Sequence, residues 1–288
     1  MLTAVLAHLG QPPEPHDLWA AWSLDPALGI GLFLAVWAYR RGRTGGPRRD
    51  ADIWRARCFA GALVAVAVAL VSPLDALSSA LASAHMVQHV LLLLVAAPLL
   101  ALAAPSSTLL RGSPLAVRRS SMRLRKRLRL TRRNLRALRH PIVVWLLHVG
   151  TLWLWHAAVP YGAALERPLL HVLEHASFLA TAWAFWHVVI GARGVGRVSH
   201  GFGVLLVFAM AMQSVFLSAL LTFARTPWYA SYATTTAPWG LTPLADQQLA
   251  GVIMWIPAGA VYLAVALTLI VAWIRLAERE ELALESRP

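Results

Sequence analysis

The sequence predicts an all-α polytopic membrane protein, a bundle of seven transmembrane helices with its N-terminus outside and its C-terminus cytoplasmic. Three observations lead there. Of 288 residues, 58% are hydrophobic, and the mean hydropathy is +0.60. Charged residues make up 14%, where a soluble domain carries about a quarter. The charges are also unevenly placed: 24 of the 26 basic residues fall in alternate connections between apolar stretches.

A membrane-crossing helix needs roughly 20 apolar residues for about 30 Å of hydrocarbon. The stretches that supply them are Trp19–Tyr39, Cys58–Val71, His85–Ala104, Pro141–Ala157, Pro168–Ile190, Gly201–Phe223 and Leu249–Ile274. The second is short unless it begins nearer Trp54. Pro98 lies inside the third and predicts a kink or an early end. Residues 1–18 form a polar leader, 19–274 the transmembrane domain and 275–288 a cytoplasmic tail. Seven basic residues lie in Arg40–Arg57, twelve in Leu110–His140, two in Ile190–His200 and three after Ile274; only Arg167 and Arg225 fall in the other loops. The positive-inside rule then orients the bundle.

The net charge of +13 does not indicate nucleic acid, because the basic residues separate apolar spans. The basic inner loop, about residues 110–140, carries Leu124, Leu128, Leu135 and Leu138 among arginines. Part of it is expected to lie helically on anionic lipid. A single cysteine, Cys58, excludes a disulfide framework, a multi-cysteine zinc site and a Cys-x-x-Cys redox pair. The first ten residues have no basic n-region, so no cleaved signal peptide is expected. Neither an internal repeat, a glycine-rich phosphate loop nor a Ser/His/Asp nucleophile motif is evident.

Chemistry concentrates in the histidines. His85 and His89, and likewise His171 and His175, are spaced i, i+4, which stacks both imidazoles on one helix face. Under the predicted topology both pairs open their spans at the outer surface, and His156 closes the fourth span beside them. Imidazole is costly to bury at that depth and is a common metal ligand. His85, His89, His156, His171 and His175 are therefore the candidate ligands. Asp75 and Asp246, placed in outer loops, with Glu174, Met86 and the deeper His148, are candidates for a supporting shell. His148 alone reads better as a packed core residue. His8 and His16 lie in the leader, and His140, His187 and His200 sit at inner helix ends. Most of the 13 tryptophans read as interface anchors.

Imidazoles suit copper, zinc, iron or nickel, and thioethers favour Cu(I). Met86, Met210, Met212 and Met254 lie in spans without forming a methionine repeat. Cu(I), Cu(II) and Zn²⁺ all remain open, as does bis-histidine haem ligation.

Several stretches together resemble the CtaG family of cytochrome c oxidase assembly factors, membrane proteins linked to caa-type terminal oxidases of bacteria. They are Ser72-Pro73-Leu74-Asp75; His85-Met86-Val87-Gln88-His89 running to Ala97-Pro98-Leu99-Leu100; and Trp153-Leu154-Trp155-His156 with Pro160-Tyr161. His171-Val172-Leu173-Glu174-His175 with Phe178 follows, then Asp246-Gln247-Gln248-Leu249-Ala250-Gly251 leading to Met254-Trp255. The resemblance implies seven helices in a bacterial plasma membrane and a non-enzymatic role in oxidase maturation. It further implies copper as the bound metal, an outer-face copper donor, and the oxidase catalytic subunit as recipient. The competing readings are a bis-histidine haem electron-transfer protein, which a Soret band would reveal, and a metal permease or metal-dependent membrane hydrolase. A permease would need polar groups continuing below His148, where the histidine path stops. A transferring site is expected not to be buried by its own loops, and Arg225–Gln248 is a candidate lid.

Overall fold

A computed structural model describes residues 12–23, 25–43, 50–127, 140–191 and 198–285. His8, Leu128, Leu135, Leu138, Arg193, Arg197 and Arg287 lie outside the described residues. Among the described residues the chain is helical, without strands. The helices are α1 (Pro26–Gly42), α2 (Asp50–Leu70), α3 (Pro73–Ser78), α4 (Ala82–Ala103), α5 (Ser106–Gly112) and α6 (Leu115–Arg127). They continue with α7 (Pro141–His156), α8 (Ala158–Glu166), α9 (Pro168–Ile190), α10 (His200–Thr222) and α11 (Pro243–Glu285).

Local sequence explains most helix starts. Asp25 caps α1 by accepting from the Ala27 amide at 2.7 Å, with Pro26 in the first turn. Ser72 caps α3 in the same way, ahead of Pro73. Proline opens α7 and α9, where its missing N–H costs nothing and its fixed φ already suits a helix. α2 begins at Asp50, ahead of the Cys58 start expected from hydropathy, because Asp50 and Asp52 favour the positive end of a helix dipole. α11 runs 43 residues without a break, about 64 Å at 1.5 Å per residue. Residues 275–285, the described part of the expected tail, belong to this same helix.

Among the described residues, four helices are long and apolar enough to cross a membrane: Asp50–Leu70, Ala82–Ala103, His200–Thr222 and Pro243–Ala283. The pair α7 and α8, bent by 73° at their junction, makes a fifth if counted as one broken span. Two of the seven expected spans fall short for identifiable reasons. α1 has only 17 residues. α9 has 23 but carries His171, Glu174, His175 and His187 within its apolar run, which lowers its hydropathy.

Polar and apolar groups are arranged as lipid demands. Leu146, Leu147, Leu154, Leu205, Phe208, Phe216, Leu263 and Leu267 are exposed, while histidines, Glu174 and Asp246 are buried. Such an exterior cannot face water over its whole girth. Inside, small residues allow close crossings. A Cβ at Gly251 would lie 2.8 Å from the Thr222 amide nitrogen and 2.9 Å from the Ser218 carbonyl oxygen, so glycine sets the approach of α10 to α11.

Pro98 neither ends nor breaks α4. Residues Leu91–Ala96 adopt π-helical turns, and the Ala97 amide donates to the Leu92 carbonyl. The Leu93 carbonyl then loses both helical donors: its α-type partner is engaged, and its π-type partner is Pro98, which has no N–H. The indole of Trp186 on α9 donates to it at 2.8 Å. The proline is thus accommodated by a side chain from a neighbouring helix, and α4 runs on to Ala103.

Candidate metal centre

Three helix ends meet at one end of the bundle: α4 and α9 begin there and α7 finishes there, with α8 turning off at 73°. The first two turns of α4 present His85 and His89, whose ring centroids are 4.4 Å apart. The first two turns of α9 present His171 and His175, also 4.4 Å apart. The pairs face one another: His85 lies 5.5 Å from His171 and 5.6 Å from His175, and His89 lies 5.5 Å from His175. The last residue of α7, His156, sits 5.6 Å from His89. All five histidines singled out from sequence therefore occupy one neighbourhood.

Within it the structure separates two groups. One donor atom each from His85, His171, Glu174 and His175 lies within 4.8 Å of the others. Glu174 is central to this group: its Oε1 is 3.5 Å from His85 Nε2 and 3.4 Å from His89 Nε2. The sequence places Glu174 among the candidates for a supporting shell; one helical turn separates it from His171 and sets it between the two histidine pairs. His156 points elsewhere. Its Nδ1 contacts the Leu152 carbonyl at 2.8 Å and its Nε2 contacts the Met86 sulfur at 3.5 Å.

The chemistry of these atoms is incomplete. Both ring nitrogens of His85 and His89, Nε2 of His171 and His175, and both Glu174 oxygens are buried without a hydrogen-bond partner. Buried polar atoms are normally paired, because an unpaired one costs about 1–3 kcal/mol and a carboxylate more. Each neutral imidazole offers one ring-nitrogen lone pair and the carboxylate offers its oxygens, so a cluster of them facing one another fits a cation. Imidazole nitrogen with one carboxylate suits zinc or copper.

The remaining predicted residues support the site from a distance. Asp246 is not in a loop. It lies in the first turn of α11, where its carboxylate accepts from the Ala82 amide at 2.6 Å, the Ser83 amide at 3.1 Å and the Ser83 hydroxyl. Leu81 provides no side-chain cap of its own, so α4 is capped by a residue from another helix. Asp75, likewise helical in α3, accepts from Gln88 Nε2 at 2.9 Å, and the same amide also donates to the Ala69 carbonyl. Gln88 thereby ties the back of α4 to α2 and α3. His148 is buried deeper, with Nδ1 3.2 Å from the Thr181 hydroxyl and its ring stacked on Phe185. His16 is exposed beside Glu14.

Sequence reasoning missed the roof. Tyr161 from α8 lies 5.1 Å from His85 and stacks on Tyr229 at 3.9 Å. Tyr229 donates to the His156 carbonyl at 3.1 Å, and Tyr232 donates to the Ser78 carbonyl at 2.8 Å. Thr235 donates to the Ala80 carbonyl. Burial holds the Tyr229 and Tyr232 phenols above the usual tyrosine range, so both remain protonated donors at neutral pH. The expectation of a site left open by its own loops is therefore not met. The segment 223–242 is packed down, His85 and Glu174 are fully buried, and the reason is this set of tyrosine contacts. One signal was present: three of only five tyrosines serve this roof.

No solved structure matches the chain. Uncharacterized proteins of Mycobacterium bovis and Mycobacterium tuberculosis are each 27% identical to it over 140 residues. That is 48% of this chain, and the match spans about a fifth (21%) of either relative's length. The family profile described as cytochrome c oxidase caa3 assembly factor (Caa3_CtaG) matches residues 31–276, so the chain belongs to that family.

Proposed function

We propose that this assembly factor holds a copper ion between His85, His171, Glu174 and His175 and passes it to the catalytic subunit of the oxidase. The observation that carries this reading is the convergence of buried imidazole and carboxylate atoms that lack hydrogen-bond partners. His89 lies on the inner flank of the same group through Glu174. A bare ion is favoured over haem because ring centroids 4.4–5.6 Å apart leave no slot for a macrocycle between the pairs.

The same reading sets the protein in the bacterial plasma membrane as seven passes, with α1 and α9 completing the bundle. The N-terminus is outside and the centre lies on the outer side, beneath segment 223–242, where a copper donor would load it. Loading and release require segment 223–242 to lift, breaking the contacts of Tyr229 and Tyr232 with His156 and Ser78. The protein's part is to bind, hold and hand over, without a chemical transformation. The oxidase is its recipient by family.

The test is the copper content of the oxidase purified from a strain lacking this protein. Wild-type protein restores copper and activity. His85→Ala with His89→Ala, and separately His171→Ala with His175→Ala, leave the oxidase copper-deficient by about tenfold or more, although both variants accumulate in the membrane. Full copper loading with both double variants would remove the delivery role.

A further inference from the structure

Below the His/Glu centre, three of the chain's six methionines converge. Met86 on α4, Met210 on α10 and Met254 on α11 line one cavity together with His89 and His156. All three are buried. The cavity measures about 20 Å³, room for a single water-sized occupant.

One contact at its edge lacks the proton that would make it a hydrogen bond. His156 Nδ1 lies 2.8 Å from the Leu152 carbonyl, which can only accept, so the ring proton is on Nδ1. The neutral ring then directs the Nε2 lone pair at the Met86 sulfur, 3.5 Å away, and a thioether is itself an acceptor. Two lone-pair donors thus face each other at that separation. Metal bonds of about 2.0 Å to imidazole nitrogen and about 2.3 Å to sulfur, at a tetrahedral angle, space the two donors by about 3.5 Å. Thioether with imidazole is a soft set that selects Cu(I) over Cu(II) or Zn²⁺.

We infer that Met86, Met210, Met254 and His156 form a second, sulfur-rich subsite for Cu(I), one step deeper than the His/Glu centre. The inference deepens the copper reading and rests on it, assigning an oxidation state and an inner holding place to the same cargo. It also gives His156 a use that its distance from the Glu174 group leaves open.

The experiment loads the full-length protein in lipid nanodiscs with Cu(I) under anaerobic conditions and reads copper X-ray absorption. A sulfur neighbour at about 2.3 Å is expected, with a matching copper neighbour at the selenium edge when the methionines are replaced by selenomethionine. The triple variant Met86→Leu, Met210→Leu, Met254→Leu, close to wild type in volume, should lose Cu(I) affinity at least tenfold and keep Zn²⁺ binding. Cu(I) bound by nitrogen and oxygen alone, with no copper neighbour to selenium, overturns the subsite and leaves the His/Glu centre standing. Failure to bind Cu(I) at all overturns it as well. Sulfur-bound Cu(I) in a protein whose His171→Ala, His175→Ala variant still fills the oxidase supports the subsite and removes His171 and His175 from the delivery path.

Discussion

Glu174→Gln is expected to weaken binding of Zn²⁺ or Cu²⁺ by about 100-fold or more, while the metal-free protein becomes more heat-stable. Glutamine keeps the shape of the side chain but removes the charge that sits 3.4–3.5 Å from His85 and His89. In the wild type the carboxylate is fully buried and meets the His85 and His89 rings only at 3.4–3.5 Å, too long for a strong charged hydrogen bond, an arrangement that opposes folding unless a cation is present. A neutral amide removes that penalty and can donate to a ring nitrogen, a gain of roughly 1–3 kcal/mol. The opposite signs are the informative feature, since a merely structural glutamate would lose stability on replacement. Competition titration against a chelator gives the affinity, and thermal unfolding with and without metal gives the stability. An unchanged affinity would show that Glu174 is not a ligand.

Asp246→Ala is expected to destabilise the protein by about 3 kcal/mol or more, because three hydrogen bonds to one carboxylate disappear together. The effect should reach the metal centre. Asp246 fixes the first turn of α4, and His85 lies two residues beyond Ser83, so a frayed first turn displaces the ring. Asp246→Asn keeps one acceptor and should fall between Ala and wild type. Thermal unfolding in nanodiscs checks the order. An alanine variant within about 0.5 kcal/mol of wild type, the range of an ordinary surface change, would contradict the cross-helix cap.

The parts of the site legible in the sequence are those governed by local geometry. The spacing of His85 with His89 and of His171 with His175 needs only 3.6 residues per turn to place each pair on one face. Pro168 and Ile190 bound α9 as hydropathy and proline preference suggest. Glu174 could have been weighted more heavily, since apart from Asp25 at the first helix start it is the one acid inside the expected spans.

What stayed hidden depends on contacts between segments far apart in the chain. Asp246 and Ser83 are 163 residues apart, and nothing local announces that one caps the helix of the other. The rotation of His156 toward Met86 follows from the Leu152 carbonyl accepting a hydrogen bond from its Nδ1–H. The accommodation of Pro98 depends on an indole 93 residues away from Leu93. Tyr229 and Tyr232 read as loop residues because their role, bonding to the His156 and Ser78 carbonyls, exists only once the bundle has closed.

The most direct measurement is elemental analysis with metal-edge X-ray absorption on protein purified without a histidine tag. The expected result is a transition-metal ion bound through nitrogen and oxygen, alongside any sulfur-bound Cu(I), and that nitrogen- and oxygen-bound ion is absent from the His171→Ala, His175→Ala protein although that protein remains folded. Wild-type protein that takes up no transition metal, or a double variant that retains its full complement, would contradict a metal centre built on His85, His171, Glu174 and His175.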